Sequence, residues 1–119
     1  MDDTAEIIAK QNDLFRQNLG SIFPPSRVLG KYMMSQGVST LSGEDQLDII
    51  LKVRSYDDFT EDNNPHGERD MGRFQLERSK QDILWKIDYY DAHYLYGSED
   101  PADLIHTRRV LTVMLSNEY

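Results

Sequence analysis

A chain of 119 residues, with 39% hydrophobic and 10% aromatic side chains spread along it, reads as one domain around a single core; this argues against a disordered polymer and leaves no room for a second domain. The lack of cysteine excludes a disulfide framework, a thiol nucleophile and Cys-ligated zinc or iron–sulfur, and agrees with a reducing cytosol. Twenty-one acids against thirteen bases give a net charge of −8, which opposes approach to a phosphate backbone and disfavours direct nucleic-acid binding.

The opening "MDDTAEIIAKQNDLF" is acidic and has no basic flank followed by an apolar stretch, so it does not read as a signal peptide. No apolar run approaches the ~20 residues that span a bilayer, so a cytoplasmic protein with no membrane partner is expected. Residues 3–19 read as a helix, with Thr4 as its cap, Ile7, Ile8, Leu14, Phe15 and Leu19 near one face, and Gly20 as its stop. "FPP" at 23–25 enforces an extended turn, because neither proline can donate a backbone hydrogen bond. "RVLGKYMMSQGV" reads as a first strand, with Gly30 as a bulge and Gly37 closing it. "LSGEDQLDIILKVRSY" carries the clearest helix signature: Ser42 and Asp45 stand at capping-box spacing, followed by Leu47, Ile50, Leu51 and Arg54.

From Tyr56 the pattern breaks into a loop through Asn63, Asn64, Pro65 and Gly67. "GRFQLER" and "QDILWKIDYYD" then alternate polar with apolar and form an antiparallel hairpin turning at 78–81. Ile83, Trp85, Ile87 and Tyr89 share its core face; Tyr90 points the other way and, with Tyr94 and Tyr96, could line an exposed aromatic patch or simply cover the sheet's second layer with its hydroxyl in water. "GSEDPAD" signals a helix start, with Asp100 as cap, Pro101 at the first position and Asp103 near the positive end of the dipole. Leu104, Arg108, Leu111 and Leu115 follow at helical spacing, with a strand over "RVLTVML" as the competing reading. The expected class is α+β: one domain, residues 1–119, with an antiparallel sheet built on the hairpin near 72–90 and about three helices packed on it.

The densest polar constellation is "DNNPHGERD". If residues 66–70 are extended, His66, Glu68 and Asp70 project to one side and could ligate a divalent metal, with Asp88, Asp91 or His93 completing the set. The competing reading is a turn whose acids bond local backbone amides, and it leads to the expectation of no metal, no cofactor and no catalytic residue. There is no GxGxxG, no phosphate loop, no nucleophile elbow and no HExxH. Arg108 and Arg109 could bind an anion, but such a pair on a helix reads as a solvated face with one stem packed inward.

Four segments together, "NNPHGERDMGRFQL", "WKIDYYD", "GSEDPAD" and "TRRVLTVMLSNEY", resemble in order and spacing the small bacterial family of domain of unknown function 3768. That family has an "N-D-x-x-R" type helix, matched by "QNDLFRQNLG" at 11–20, and an "NDP-x-GEHDFG" type loop. The chain departs from the loop pattern at Asn64, Arg69 and Met71, where the family usually shows Asp, His and Phe; a metal held through that His and Asp would have lost two ligands here. The resemblance implies a single-domain fold of an accessory or mobile-element type and supplies no activity.

Charge and motifs thus point to a non-enzymatic acidic interaction module whose partner is another protein. The expected partner-binding residues are Asp57, Asp58, Glu61, Asp62, Glu68, Tyr90, Asp91, Tyr94 and Tyr96. Residues 57–70 hold six acids and one base, and acids displayed on a rigid sheet could imitate nucleic-acid phosphates toward a basic nucleic-acid-handling complex, as anti-CRISPR and anti-restriction inhibitors do. The rivals are a small metal-assisted hydrolase using His66, Glu68 and Asp70, and an oligomeric regulatory cofactor associating through its tyrosines.

Overall fold

Alternation along "DILWKIDYY" buries Ile83, Trp85 and Ile87 on one side of a nine-residue strand. The computed structural model, which describes residues 3–21 and 27–119, is built around that strand. In chain order the elements are α1 (Thr4–Gln17), β1 (Gly30–Met34), α2 (Gln36–Ser39), α3 (Gly43–Arg54), β2 (Met71–Gln75), β3 (Asp82–Tyr90), β4 (Arg108–Leu115) and a 3-10 turn (Ser116–Glu118). The sheet order is β1-β4-β3-β2. β2–β3 and β3–β4 are antiparallel, but β1 joins β4 in parallel, so the sheet is mixed rather than purely antiparallel. The class is α+β, with three helices among the described residues.

The hairpin forms where its alternation puts it, with Leu76 N–H on Gln81 O (2.9 Å) and Lys80 N–H on Leu76 O (3.0 Å). α3 begins at Ser42, whose Oγ accepts from Asp45 N–H at 3.1 Å. Its buried face, however, is Asp45, Ile49 and Val53, while Leu47 and Leu51 stay exposed. α1 likewise buries Ile8, Ala9, Asn12, Phe15 and Arg16 and leaves Ile7 and Leu14 outside, and its cap position is Asp3 rather than Thr4. The first strand is shorter than its sequence pattern. Ser35 accepts from Val38 N–H and turns the chain into α2, so Gly37 lies in a helix and Gly30 is a paired strand residue opposite Arg109. The turn at "FPP" lies outside the described residues.

The largest correction is at the C-terminal end. Residues 104–115 do not form a helix: 101–107 are turns and 108–115 are β4, in the middle of the sheet. The cap-like residues close turns instead, Asp100 Oδ1 accepting from Ala102 N–H and Asp103 Oδ1 from Ile105 N–H. β4 is a strand because Arg109, Leu111 and Val113 alternate inward between β1 and β3, and β-branched Val110, Thr112 and Val113 suit that pleat.

The core lies between one face of the sheet and the helices. Phe15, Val38, Ile49 and Val53 meet Ile83, Trp85, Ile87, Leu111 and Val113 there. Tyr56 and Phe59 stand edge-on to Trp85, with ring centroids 5.5 and 6.1 Å away. Gly72 makes room for this: a Cβ there would lie 2.5 Å from Trp85 Nε1 and 2.6 Å from the Tyr56 ring.

Candidate functional site

The helical period places Asn12 and Arg16 on the same inward face of α1, and both are buried. Arg16 donates through Nη1 to the carbonyls of Val53 (2.7 Å) and Arg54 (3.0 Å), closing the end of α3, and its Nη2 meets Asp13 at 3.0 Å. Its guanidinium lies 5.5 Å from the Trp85 ring centroid. Asp13 also accepts from Arg69 Nε at 3.0 Å, which ties the 56–70 loop to α1; Arg69 stacks over Phe59 at 4.1 Å.

Asn12 is the hub of a second group. Its Nδ2 donates to Glu68 O (2.9 Å) and Tyr89 Oη (2.8 Å), and its Oδ1 accepts from Arg109 Nε at 2.6 Å. Tyr89 Oη passes its own hydrogen to Glu68 Oε1 at 2.9 Å. Arg109, which is 0% exposed, adds bonds from Nη2 to Gln11 Oε1 (2.8 Å) and Pro101 O (3.2 Å). Burial lowers the pKa of both Arg16 and Arg109 and raises that of Tyr89. Asp70 is also pushed above the ordinary carboxylate range, first by burial and then by the charge of Glu68. The segments that carry the family resemblance therefore meet in one hydrogen-bonded seam that joins α1, the loop, β3 and β4.

This seam accounts for the loop residues singled out from sequence. Glu68 turns inward to Tyr89, Asp70 O accepts from Ile87 N–H at 2.8 Å, and His66 stays exposed. Among the described residues no three or more His, Asp or Glu side chains gather to hold a metal, so the convergence of His66, Glu68 and Asp70 is not present. Asp88 pairs with Lys86, and Asp91 accepts from His93 and Leu95 N–H. Asn64 Oδ1 accepts from Arg69 N–H at 2.8 Å, beside an Arg69 backbone at a φ of 56°. Arg108 and Arg109 lie on a strand, and neither bonds an acid of "EDPAD"; Arg108 donates to the carbonyls of Ile105 and Thr107.

Asp57, Asp58, Glu61 and Asp62 are all exposed on a loop that Asn63 pins through Thr60 N–H (2.8 Å) and Asp58 O (2.9 Å). Tyr90 and Tyr94 have ring centroids 6.4 Å apart, with Lys31 Nζ 4.1 Å from that of Tyr94. Tyr96 is 75% exposed.

Tyr96 belongs to a cleft of about 450 Å³ between the two turns that precede β4, also lined by Asp91, Glu99, Asp100, Asp103 and His106. The walls are fixed by Asp91 N–H to Tyr96 O (2.8 Å), Ser98 N–H to Tyr89 O (3.1 Å) and the Ser98–Thr107 hydroxyl pair (2.7 Å). Backbone donors, Leu95 N–H first, hold the Asp91 carboxyl below its ordinary pKa, and the His106 ring does the same for Asp103. Leu95 and Ile105, in the same turns, are 71% and 76% exposed. Four carboxylates with exposed apolar neighbours can take up a cationic group carried on an apolar frame. Sequence reasoning found Asp91 and Tyr96 but missed Glu99, Asp103, Ile105 and His106, because it placed "EDPAD" at a helix start. The density of acids and unburied apolar residues over 95–106 was the available signal.

A family model described as Protein of unknown function (DUF3768) matches residues 34–118. No curated protein and no solved structure matches the chain. The match covers both turns of the cleft and the loop, β3 and β4 sides of the seam, and the chain belongs to the DUF3768 family.

Proposed function

We propose that this protein is a non-enzymatic interaction module that binds the basic surface of another protein through the cleft at 91–106. The observation that carries the reading is the cleft itself, where Asp91, Glu99, Asp100 and Asp103 stand beside exposed Leu95, Tyr96 and Ile105. Exposed apolar side chains around a polar depression are a common form of protein-binding surface, and the net charge of −8 steers a basic partner toward it. Asp57, Asp58, Glu61 and Asp62 add to that field from their own loop, while Glu68 is spent on the internal seam. A basic nucleic-acid-handling complex is the partner class that such a field suits, and imitation of its phosphate ligand is the sharper form of the proposal.

The test is a ¹⁵N–¹H titration with a dodecapeptide of alternating Arg and Leu. Saturable shifts at 91–106 that disappear in Glu99→Lys/Tyr96→Ala support the reading; shifts confined to other surfaces, or none at millimolar peptide, overturn it. Both substituted side chains are exposed and the turn bonds lie elsewhere, so the variant keeps its fold. For the sharper form, Asp57→Lys/Asp58→Lys/Glu61→Lys/Asp62→Lys should abolish capture of a nucleic-acid-handling partner from host lysate; unchanged capture removes the imitation.

A further inference from the structure

The helices and the main core cluster lie on one side of the sheet. On the other side the register runs Met33, Thr112, Lys86, Met71 in one row across the four strands, with Lys31, Val110 and Asp88 in the next. Among the described residues no helix covers this face: Met33 is 55% exposed, Lys31 and Arg73 are exposed, and Val110, Thr112 and Met71 are half-buried. Leu84 and Met114 are buried at the end where the 3-10 turn packs on β3.

Its charge is opposite to that of the rest of the molecule. Lys31, Arg73, Lys86 and Arg108 stand on this face against Asp82 and Asp88; Lys86 is paired with Asp88 and Arg108 Nη1 with the Ile105 and Thr107 carbonyls, so the surplus rests on Lys31, Arg73 and Arg108 against Asp82, and nine bases and nineteen acids are left for everything else. Three of the five methionines, Met33, Met71 and Met114, lie on the same face. Methionine adapts its shape to what it touches, and a surface that combines it with flanking cations fits apolar groups carried between anions.

We infer that the open sheet face is a second docking surface, specific for an acidic amphipathic peptide of a partner protein. Charge complementarity sets the sign of that peptide, and the row of Met33 and Met71 supplies its apolar contact. Single-stranded nucleic acid fits less well. The Tyr94 ring, which a base would stack on, is already faced by Lys31 Nζ at 4.1 Å, and the chain's charge repels a long polyanion.

The experiment titrates ¹⁵N-labelled protein with a dodecapeptide of alternating Glu and Leu, beside alternating Glu and Ser and a twelve-nucleotide oligo-dT. The expected result is saturable shifts at 31–33, 71–73, 86–90 and 108–112 for the Glu–Leu peptide. Its affinity falls at least tenfold in Lys31→Glu/Arg73→Glu and is at least tenfold weaker for the Glu–Ser peptide. Met33→Ser, at an exposed position, provides a second variant with the same direction of effect should the first lose its dispersed spectrum. No saturable shift on this face at millimolar peptide overturns the inference, as does equal binding of Glu–Ser or equal or tighter binding of the oligonucleotide. The cleft is read separately by the Arg–Leu peptide, so either surface can fail alone.

Discussion

At the scale of single residues, Asn12 has more consequence than its size suggests, because Arg109 is buried with only neutral acceptors in hydrogen-bond contact. Asn12→Ala removes the shortest of those acceptors, which strands the Arg109 Nε donor on one side and leaves the Glu68 O and Tyr89 Oη acceptors without it on the other, so an equilibrium urea titration should show a loss of about 2–4 kcal/mol. Asp70 has the opposite sign. Its carboxyl is held above its unfolded pKa, so the folded state binds the extra proton, and stability falls as pH rises from the unfolded value through the folded one. Asp70→Asn, which cannot ionise, should therefore raise Tm at pH 7 and lose its advantage below about pH 4, where the native carboxyl is also neutral. The seam was only half legible in the sequence. "QNDLFR" and "NNPHGERD" stand out as polar segments, but nothing local says that Arg109 is the arginine that turns inward, since its partners come from the far end of the chain.

Elements were read well wherever one period dominated. β3 alternates from Trp85 to Tyr89, and Ser42 marks the start of α3, so both are legible in the sequence. β4 was not, because Leu104, Arg108, Leu111 and Leu115 fit a helix while Arg109, Leu111 and Val113 fit a strand, and the acids before them resemble a cap. Burial decided the matter: a central strand between β1 and β3 covers both of its edges and packs its inward side on the core. The helix faces went wrong for a related reason, since counting large apolar residues favours Leu47 and Leu51 over Ile49 and Val53, which the sheet contacts. The β1–β4 pairing depends on close approach. A Cβ on Gly30 would lie 2.0 Å from Arg109 O and 2.7 Å from the Phe15 ring, and the first of these is backbone that cannot step aside. Gly30→Ala should cost at least the upper end of about 1–3 kcal/mol, and hydrogen exchange should show lost protection in 30–34 before the β2–β3 hairpin opens.

Across the whole molecule, a basic sheet face on an acidic body makes the two proposed surfaces respond differently to salt. The cleft attracts the Arg–Leu peptide both locally and at long range, so its affinity should fall steeply between 50 and 500 mM salt. The Glu–Leu peptide is attracted by the sheet face and repelled by the net charge, and screening weakens both effects. Its affinity should change far less over the same range, which parallel anisotropy titrations would measure. Net charge read from composition gave the sign of the body correctly and concealed the face, because only the pairing register sorts Lys31, Arg73, Lys86 and Arg108 onto one side.

The strand order also sets a sequence of events in time. β4 is made after every other strand, yet it stands between β1 and β3. While the chain grows from its N-terminus, β1 has no neighbour and the β2–β3 hairpin lacks the partner of its β3 edge until residues 108–115 emerge. Through that interval Ile83, Trp85 and Ile87 lack the strand that pairs beside them. A chain that stops at residue 107 thus carries, beyond the two edges of the finished sheet, the two strand edges that β4 fills, and an apolar surface still lacking its central strand, the condition under which chaperones engage and aggregation starts.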